Sequence, residues 1–307
     1  MKEEKELIFN ALHDLYRHLG VPTHLIDAEA GFTIFNVKDL SMPLPFTSPA
    51  KRLNYFAFVF VKNGRGKYTI DEQTFETTPG TIYFTNPGHF RSFEWIEIEE
   101  VFLITLSESF LKENVHTDIF GEFPFLLSEI YPVKKVNEET FEEFRRLYLQ
   151  IHKEYIGQSP YRKRLIASLF VVLLLKIKEY FWQDYNPLYE GNRSSQIVKK
   201  FKQMLENHYR DINSGKAEKV FRIQEYADAQ QLHPNYLNNV IKTKTGKSVG
   251  TWVTEKTIAE ARSLLQHSTL SIKEIAYRLG FAESAHFSNY FKKYTDTSPA
   301  AYRKVNT

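Results

Sequence analysis

The 307-residue sequence contains no cysteine. A chain without cysteine forms no disulfide, gives zinc no thiolate ligand and has no cysteine nucleophile. A metal site would therefore depend on histidine and carboxylate side chains. Between Leu25 and Phe110 the only histidine is His89, so a three-ligand metal site is not expected there. Glycine-rich phosphate loops, nucleophile elbows and catalytic triads are not recognisable either. The sequence thus predicts no metal, no other cofactor and no enzymatic activity.

Long hydrophobic runs are also missing. The most apolar stretch, Leu165 to Leu175, lies between Arg164 and Lys176, and it has about half of the roughly 20 residues that a membrane span needs. It is better interpreted as a buried helix. The charged start, Met1–Glu6, is not followed by an apolar run of signal-peptide type. We therefore expect a cytoplasmic protein without membrane spans.

The two ends of the chain differ in charge, although the formal net charge is only +3. Residues 193–307 hold 19 Lys or Arg against 10 Asp or Glu, whereas residues 1–192 hold 21 against 27. A basic domain attracts phosphate, so the C-terminal part is a candidate for binding nucleic acid. The alternative is that charge needed for solubility is unevenly spread.

Between Leu53 and Leu106, apolar runs alternate with turn residues, a pattern typical of short β-strands. The runs are Tyr55–Val61, Ile82–Thr85 and Val101–Leu106, and the turn segments are Asn63–Gly66, Asp71–Gln73, Pro79–Gly80 and Asn86–Gly88. Such even spacing predicts a small barrel or sandwich over residues 30–106.

After Asn137 the apolar spacing becomes helical. One helix face then carries Phe141, Phe144, Tyr148, Ile151 and Tyr155. A second helix is expected to open at Ser159–Pro160, so that a helical pair covers residues 137–183. This pair is a candidate dimer surface, or it packs on the strands of its own chain.

Helix breakers and polar residues are mixed in the segment 186–192, where the charge also changes sign. We therefore predict an N-terminal domain over residues 1–185, a linker over 186–192 and a C-terminal domain over 193–307.

One pattern occurs twice in the C-terminal domain. Ile223-Gln-Glu-Tyr-Ala227 matches Ile272-Lys-Glu-Ile-Ala276, and Tyr236-Leu-Asn-Asn-Val-Ile-Lys242 matches His286-Phe-Ser-Asn-Tyr-Phe-Lys292. The first pair is offset by 49 positions and the second by 50, which predicts one extra residue in the turn of copy two. Each copy has the pattern of a helix-turn-helix unit, over about residues 220–245 and 270–295. A connecting helix from Trp252 to Gln266 is expected between them.

The second helix of each unit has one apolar and one polar face. Copy one should bury Leu237, Val240 and Ile241, and copy two Phe287, Tyr290, Phe291 and Tyr294. Asparagine matches the donor and acceptor of adenine, serine and histidine can bond base edges, and lysine neutralises phosphate. An ordinary solvated helix face is the alternative. The predicted DNA-binding residues are Asn235, Tyr236, Asn238, Asn239, Lys242, Ser284, His286, Ser288, Asn289, Lys292 and Lys293.

The region from about Val220 to Lys304 resembles the DNA-binding domain of AraC/XylS-type transcription regulators. The most specific part is Ser271–Arg303, which follows the family signature closely. Asp296 stands where the family usually has glycine, and we expect it to adopt the left-handed conformation at a small cost. The resemblance implies a sequence-specific regulator, an activator rather than a repressor, whose partners are double-stranded DNA and RNA polymerase.

The strand-rich part is similar to the cupin-like sensory domains that many members of this family carry. The similarity rests on Gly64–Gly66 before Tyr68–Asp71 and on Thr78–Phe84 before His89. It implies an α+β protein of two domains: a cupin-like β-barrel with a helical pair, then an all-α domain with two helix-turn-helix units. A barrel mouth lined by aromatic and polar groups would suit a small-molecule effector. The candidate ligand residues are Tyr68, Tyr83, His89, Arg91 and Trp95.

Three roles remain open for the N-terminal domain. It senses a small molecule and forms a homodimer, it is a scaffold that only dimerises or meets a protein partner, or it acts on a small metabolite as an enzyme. The absence of a metal-binding cluster from the sequence argues against the enzyme.

Overall fold

The computed structural model describes residues 7–9, 14, 16–17, 31–53, 55–70, 73–87, 90–115, 119–127, 133–182, 193–217 and 219–306. The predicted linker, residues 186–192, and His89 lie outside these ranges. The chain forms two compact units, Met1–Val115 with Ser128–Asn186 and His116–Leu127 with Pro187–Thr307. None of the helices in the described part combines the length and apolar character required to cross a bilayer.

The first unit is built on one nine-stranded sheet. Its strands are β1 (Leu7–Phe9), β2 (Phe32–Asn36), β3 (Phe46–Thr47), β4 (Lys51–Leu53), β5 (Phe56–Ile70), β6 (Gln73–Thr77), β7 (Thr81–Thr85), β8 (Phe90–Leu106) and β9 (Lys134–Lys135). Their order is β1-β4-β8-β5-β7-β9, with β2 and β3 also paired to β8 and β6 to β5. The cupin-like, β-rich fold is confirmed, but in the described residues the sheet ends at β1 and β9 and is open, not a closed barrel.

The segment Asn63–Gly66, which the sequence predicts as a turn, lies inside β5. Here β5 shifts its register against β8 between Val61 and Asn63, between Asn63 and Gly64, and again between Arg65 and Gly66. A Cβ atom at Gly66 would overlap the carbonyl oxygen of Glu94. Glycine therefore lets the two long strands approach closely, and the bulges bend β5 without ending it. Before the bulges β5 pairs with β7, and after them with β6.

Two short helices, α1 (Glu108–Phe110) and α2 (Ile119–Glu122), follow β8, and two long ones, α3 (Glu138–Ile156) and α4 (Arg162–Phe181), follow β9. The Asn137 side chain accepts from Thr140 N at 2.9 Å and begins α3. The predicted apolar face of α3 is buried. Both helices pack on the sheet through ring contacts, such as Phe102–Tyr148 and Phe58–Phe170, with centroids 4.2 and 5.3 Å apart.

The stretch Ile119–Leu127 groups with the second unit, whereas the sequence predicts it inside the domain 1–185. Its apolar side chains Ile119, Phe120, Phe123, Phe125 and Leu126 are buried. They lie on α2, on a 3₁₀ turn, Pro124–Leu127, and at Phe123 between the two, and both elements contact the long helix Arg193–Asn213. The stretch therefore belongs to the second unit by packing, although it lies between two parts of the first unit in the sequence.

The second unit is otherwise helical: α5 (Arg193–Asn213), α6 (Ile223–Asp228), α7 (Pro234–Thr245), α8 (Val249–His267), α9 (Ile272–Arg278), α10 (Ser284–Thr295) and α11 (Pro299–Asn306). It has two hydrophobic cores. The first surrounds Phe201, Tyr226 and Leu237, and the second surrounds Ile275 and Phe287. Helix α8 contributes Trp252 to the first core and Ile258, Ala261 and Leu265 to the second. The predicted connecting helix is thus shared by both.

Candidate DNA-binding surface and ligand cavity

Helices α6 and α7 form one helix-turn-helix unit, and α9 and α10 form the other. In the first turn Leu232 N donates to Ala227 O, and in the second Phe281 N donates to Ala276 O, both at 2.9 Å. These equivalent bonds are 49 residues apart, whereas α7 and α10 begin 50 residues apart. The extra residue of copy two therefore lies between Phe281 and the start of α10.

The ends of α7 and α10 are also built alike. Thr245 donates to Ile241 O, and Thr295 donates to Phe291 O, both at 2.8 Å. The next residue takes the left-handed conformation in each copy, with φ of 75° at Gly246 and 59° at Asp296. The conformation that the sequence predicts for Asp296 is confirmed.

Most of the predicted DNA-binding side chains lie on exposed faces of the two second helices. On α7 these are Asn235, Tyr236, Asn239 and Lys242, and on α10 they are His286, Asn289, Lys292 and Lys293, while Ser284 is half-buried. The 50-residue offset makes Asn239 equivalent to Asn289 and Lys242 equivalent to Lys292. At these two equivalent positions, both helices therefore expose an asparagine and a lysine side chain.

Asn238 and Ser288, which are equivalent to each other, have local hydrogen bonds instead. Asn238 Oδ1 accepts from Val249 N at 3.0 Å, at the start of α8, and Ser288 Oγ donates to Ser284 O at 2.9 Å. Both side chains are half-buried. Both side chains therefore bond within their own unit, whereas Asn239 and Asn289 are exposed.

Tyr294 does not belong to the inner face of α10 that the sequence predicts. It is exposed, Tyr290 is half-buried, and only Phe287 and Phe291 of that set are fully buried. Tyr294 lies in the last turn of α10, beyond the end of the hydrophobic core. The helical spacing of apolar residues alone does not show where that core ends.

A buried ion triad fixes α8 against α5. The ammonium group of Lys256 is 2.6 Å from the carboxylate of Glu206 on α5 and 2.6 Å from that of Glu260 on α8. Burial opposes the charge of Lys256, but the two carboxylates raise the pKa of the ammonium group above its ordinary value. Tyr209 adds a hydrogen bond of 2.5 Å to Thr257. These contacts hold the connecting helix in one position relative to the first core.

The first unit contains a cavity of about 110 Å³ on one face of its sheet. Four of the five predicted ligand residues line it, namely Tyr68, Tyr83, Arg91 and Trp95. The fifth, His89, lies outside the described residues. The Tyr68 and Tyr83 rings pack with centroids 4.6 Å apart, and burial raises the pKa of the Tyr83 hydroxyl well above its ordinary value.

Sequence reasoning missed two groups in the cavity wall. Lys51 is buried, and burial lowers the pKa of its ammonium group to about 8. Tyr16 bonds to Thr105 at 2.6 Å and to Thr33 at 3.0 Å. A lysine within a strand pattern is usually solvated, so only the cross-strand register shows that Lys51 faces inward. Within the described part of the chain, no three histidine or acidic side chains lie close enough to hold a metal ion.

Both units match known families. Residues 226–305 match a helix-turn-helix domain family, and residues 43–160 match the AraC-like ligand binding domain. The HTH-type transcriptional activator RhaR of Enterobacter sp. (strain 638) is 22% identical over 246 residues, 80% of this chain and 83% of that protein. The activator RhaS of Escherichia coli O1:K1 is 24% identical over 267 residues, 83% of this chain and 87% of that protein.

Solved structures are also similar to parts or most of the chain. The structure of ToxT from Vibrio cholerae O395 covers 91% of this chain and 99% of its own, at 15% identity and a TM-score of 0.36. The C-terminal domain of AraT, a response regulator from Geobacillus stearothermophilus, covers 37% of this chain and 88% of its own, at 30% identity and a TM-score of 0.33.

Proposed function

Because this chain belongs to the AraC-type transcription regulators and is homologous to the activators RhaS and RhaR, we propose that α7 and α10 read two half-sites of one promoter element. The chain is a DNA-binding regulator with a ligand-binding domain, and it is not an enzyme.

One observation carries the assignment of the recognition surface. Asn239 and Asn289 are exposed at equivalent positions of two equivalent helices, and each is followed by an exposed lysine three residues later, Lys242 and Lys292. Asparagine pairs with adenine in the major groove, and lysine neutralises phosphate. Two such faces in one rigid unit suit two half-sites about one helical turn, or roughly 34 Å, apart.

Selection of bound duplexes from a random pool tests this assignment. We expect the full-length protein to enrich a motif with two half-sites about one helical turn apart. Binding should weaken with rising salt, and the motif should keep its advantage over random DNA. If no motif is enriched and all duplexes bind alike, the recognition surface is assigned wrongly.

We infer a homodimer that forms through the outer face of α4. This face exposes the apolar side chains Leu165, Val172 and Leu175. Ser168 and Glu179 lie on the same face. The five positions recur every three or four residues, as in the seam of a coiled coil. Antiparallel pairing about Val172 would bring the exposed apolar side chains of two copies together, so that one self-complementary face serves both subunits.

Sedimentation of the purified protein tests the dimer. Val172→Glu introduces a charge into the seam and should shift the protein to monomer at micromolar concentration. Leu44→Glu is the control, because Leu44 is about as exposed, at 42% against 41%, and lies outside α4. A dimer that is equally stable in both variants contradicts the assignment of α4.

As an activator in the cytoplasm, the DNA-bound protein would contact RNA polymerase. Transcription with purified polymerase from a template that carries the selected motif tests this contact. Added protein should raise the transcript level from that template and not from one with a scrambled motif.

A further inference from the structure

The cavity of the first unit lies against one face of the sheet, and the helices α3 and α4 pack on the other. Successive residues of a strand point to opposite faces. Val59 and Leu103, which are cross-strand neighbours on β5 and β8, line the cavity. Phe58 and Phe102, which precede them, contact rings on α4 and α3. Both faces of these two strands are therefore apolar, and the helices cover one while the cavity borders the other.

The wall of the cavity is mainly aromatic and aliphatic. The rings of Tyr68, Tyr83 and Trp95 lie there together with aliphatic side chains. Lys51 and Arg91 are also among the lining residues. The surface that the described residues turn toward the cavity is nevertheless almost entirely apolar. A bound molecule would therefore meet carbon atoms on nearly all sides.

Several polar groups of the wall form hydrogen bonds with other protein groups. The Tyr16 hydroxyl is 2.6 Å from that of Thr105. The Ser48 hydroxyl accepts from a backbone amide of β8 at 3.0 Å, and Arg91 donates to the backbone oxygen of Tyr55 at 2.7 Å. Because these groups bond within the protein, a sugar or an ion that entered would lose hydrogen bonds to water and regain few from the wall.

The volume of the cavity, about 110 Å³, limits the size of the molecule that it can hold. An engineered apolar cavity of roughly 150 Å³ excludes water and binds benzene. A molecule of about one six-membered ring therefore matches this space. Protein interiors are densely packed, so a molecule that fills the cavity would add van der Waals contacts to its lining side chains.

We propose that the cavity binds a neutral, compact apolar molecule of about one ring, which lies against Tyr68, Tyr83 and Trp95. Burial of apolar surface would supply most of the affinity, and the flat rings of the wall favour a flat molecule in offset or edge contact. The inference rests on the proposed function in one respect, that this molecule is the effector, but its binding is measured without DNA.

Calorimetric titration of the full-length protein tests the chemistry of the ligand. The probes are toluene, benzoate, xylose and 1-methylnaphthalene. Benzoate adds a charge to the same ring, xylose is a polar molecule of similar size, and 1-methylnaphthalene has a second ring. We expect toluene to bind and each of the other three to bind about tenfold more weakly or worse. No binding of toluene, or equal binding of any other probe, would overturn the proposal.

Two leucine variants test the position of the site. Leu103→Ala shortens a lining side chain and should enlarge the cavity, so that 1-methylnaphthalene binds about tenfold more tightly than to the wild-type chain. Leu149→Ala removes the same atoms from an exposed position on α3 and should leave the affinity unchanged. Equal affinity in both variants would place the ligand elsewhere. Should Leu103→Ala fail to fold, Ala57→Leu, which lengthens another lining side chain, should abolish toluene binding.

Trp95 provides a spectroscopic readout of the same binding, because it is buried and lines the cavity. Toluene should change the tryptophan emission of the wild-type chain. Trp95→Phe keeps a ring in the wall and leaves Trp182 and Trp252 as the other tryptophans, so its emission should not respond. A response of the same size in Trp95→Phe would place the bound toluene away from Trp95 and overturn the assignment.

Operator binding separates this inference from the proposed function. If toluene does not bind while the selected motif is still recognised, the ligand class is wrong and the regulator stands. If toluene binds and no motif is ever enriched, the cavity is correctly assigned and the recognition surface fails.

Discussion

Gln231 and Gly280 occupy the same turn position in the two helix-turn-helix units, and both have a left-handed backbone, with φ of 55° and 76°. A side chain with a Cβ atom pays about 1–2 kcal/mol for this conformation, and glycine does not. We predict that Gln231→Gly raises the free energy of unfolding of the second unit by about 0.5–1 kcal/mol, measured by urea denaturation. Gln230→Gly is the control, since φ is not positive at Gln230, and it should lower stability.

Position 280 should not tolerate a side chain, whereas the equivalent position 231 already carries one. A Cβ atom at Gly280 would lie 3.0 Å from Val220 N and 3.1 Å from Lys219 Cα, in addition to the unfavourable φ. We predict that Gly280→Ala destabilises the second unit by about 1–3 kcal/mol. Gln231→Ala, at the equivalent position, should change the free energy of unfolding by under about 0.5 kcal/mol. A loss in Gly280→Ala no larger than the gain in Gln231→Gly would show that backbone strain alone, and not contact with Lys219 and Val220, sets the cost.

Asn289 and Lys292 should differ in how they contribute to DNA binding. We predict that Asn289→Ala weakens binding to the selected motif by about 1–3 kcal/mol and relaxes one base position, whereas Lys292→Ala weakens binding to all duplexes and lowers the salt dependence. Fluorescence anisotropy with cognate and random duplexes at two salt concentrations measures both effects. Equal losses on both duplexes for Asn289→Ala would contradict base reading.

Lys256 should be essential for the stability of the second unit. Lys256→Met leaves Glu206 and Glu260 buried beside each other, and removal of one member of a buried ion pair costs about 3–5 kcal/mol. Because two neighbouring buried carboxylates without the lysine repel each other, protonation of one should become favourable in the variant. The loss of stability should therefore shrink as the pH falls toward 5. The comparison is Arg65→Met, whose ion pair with Glu97 is exposed and contributes about 0–1 kcal/mol. Stability curves at pH 5 and 8 distinguish these cases.

Lys51, a buried lysine of the first unit, should show the opposite pH dependence of stability. The pKa of Lys51 is about 8 in the folded chain against 10.5 for an ordinary lysine, so between these values the unfolded chain binds more protons. The free energy of unfolding contributed by this group therefore rises with pH from about 8 to 10.5. We predict that Lys51→Met is more stable than wild type at pH 7, and that this advantage shrinks by pH 10. An advantage that is constant with pH would mean that Lys51 stays charged when folded.

The sequence predicted the second unit more closely than the first, for a physical reason. A repeated helical pattern fixes which side chains share a face, and Leu237, Ile241, Phe287 and Phe291 are buried as the spacing requires. The use of Asn238 as a cap for α8 could not be seen, because it depends on a contact between two helices. In the sheet, the inward direction of Lys51 depends on its register with Arg91, and the bulges at Gly64 and Gly66 depend on how closely β8 approaches. Neither follows from the order of residues along one strand.

Helix α8 is 19 residues long, so it spans about 28 Å at 1.5 Å per residue, and it belongs to both hydrophobic cores of the second unit. One residue inserted between Trp252 and Ile258 would turn the second helix-turn-helix unit by about 100° around the helix axis. If α7 and α10 read the two half-sites, as proposed, a changed base can be matched by a single substitution in one of these helices. A changed distance between the half-sites cannot be matched by a single substitution, so we expect the spacing of the promoter element to be more constrained than its bases.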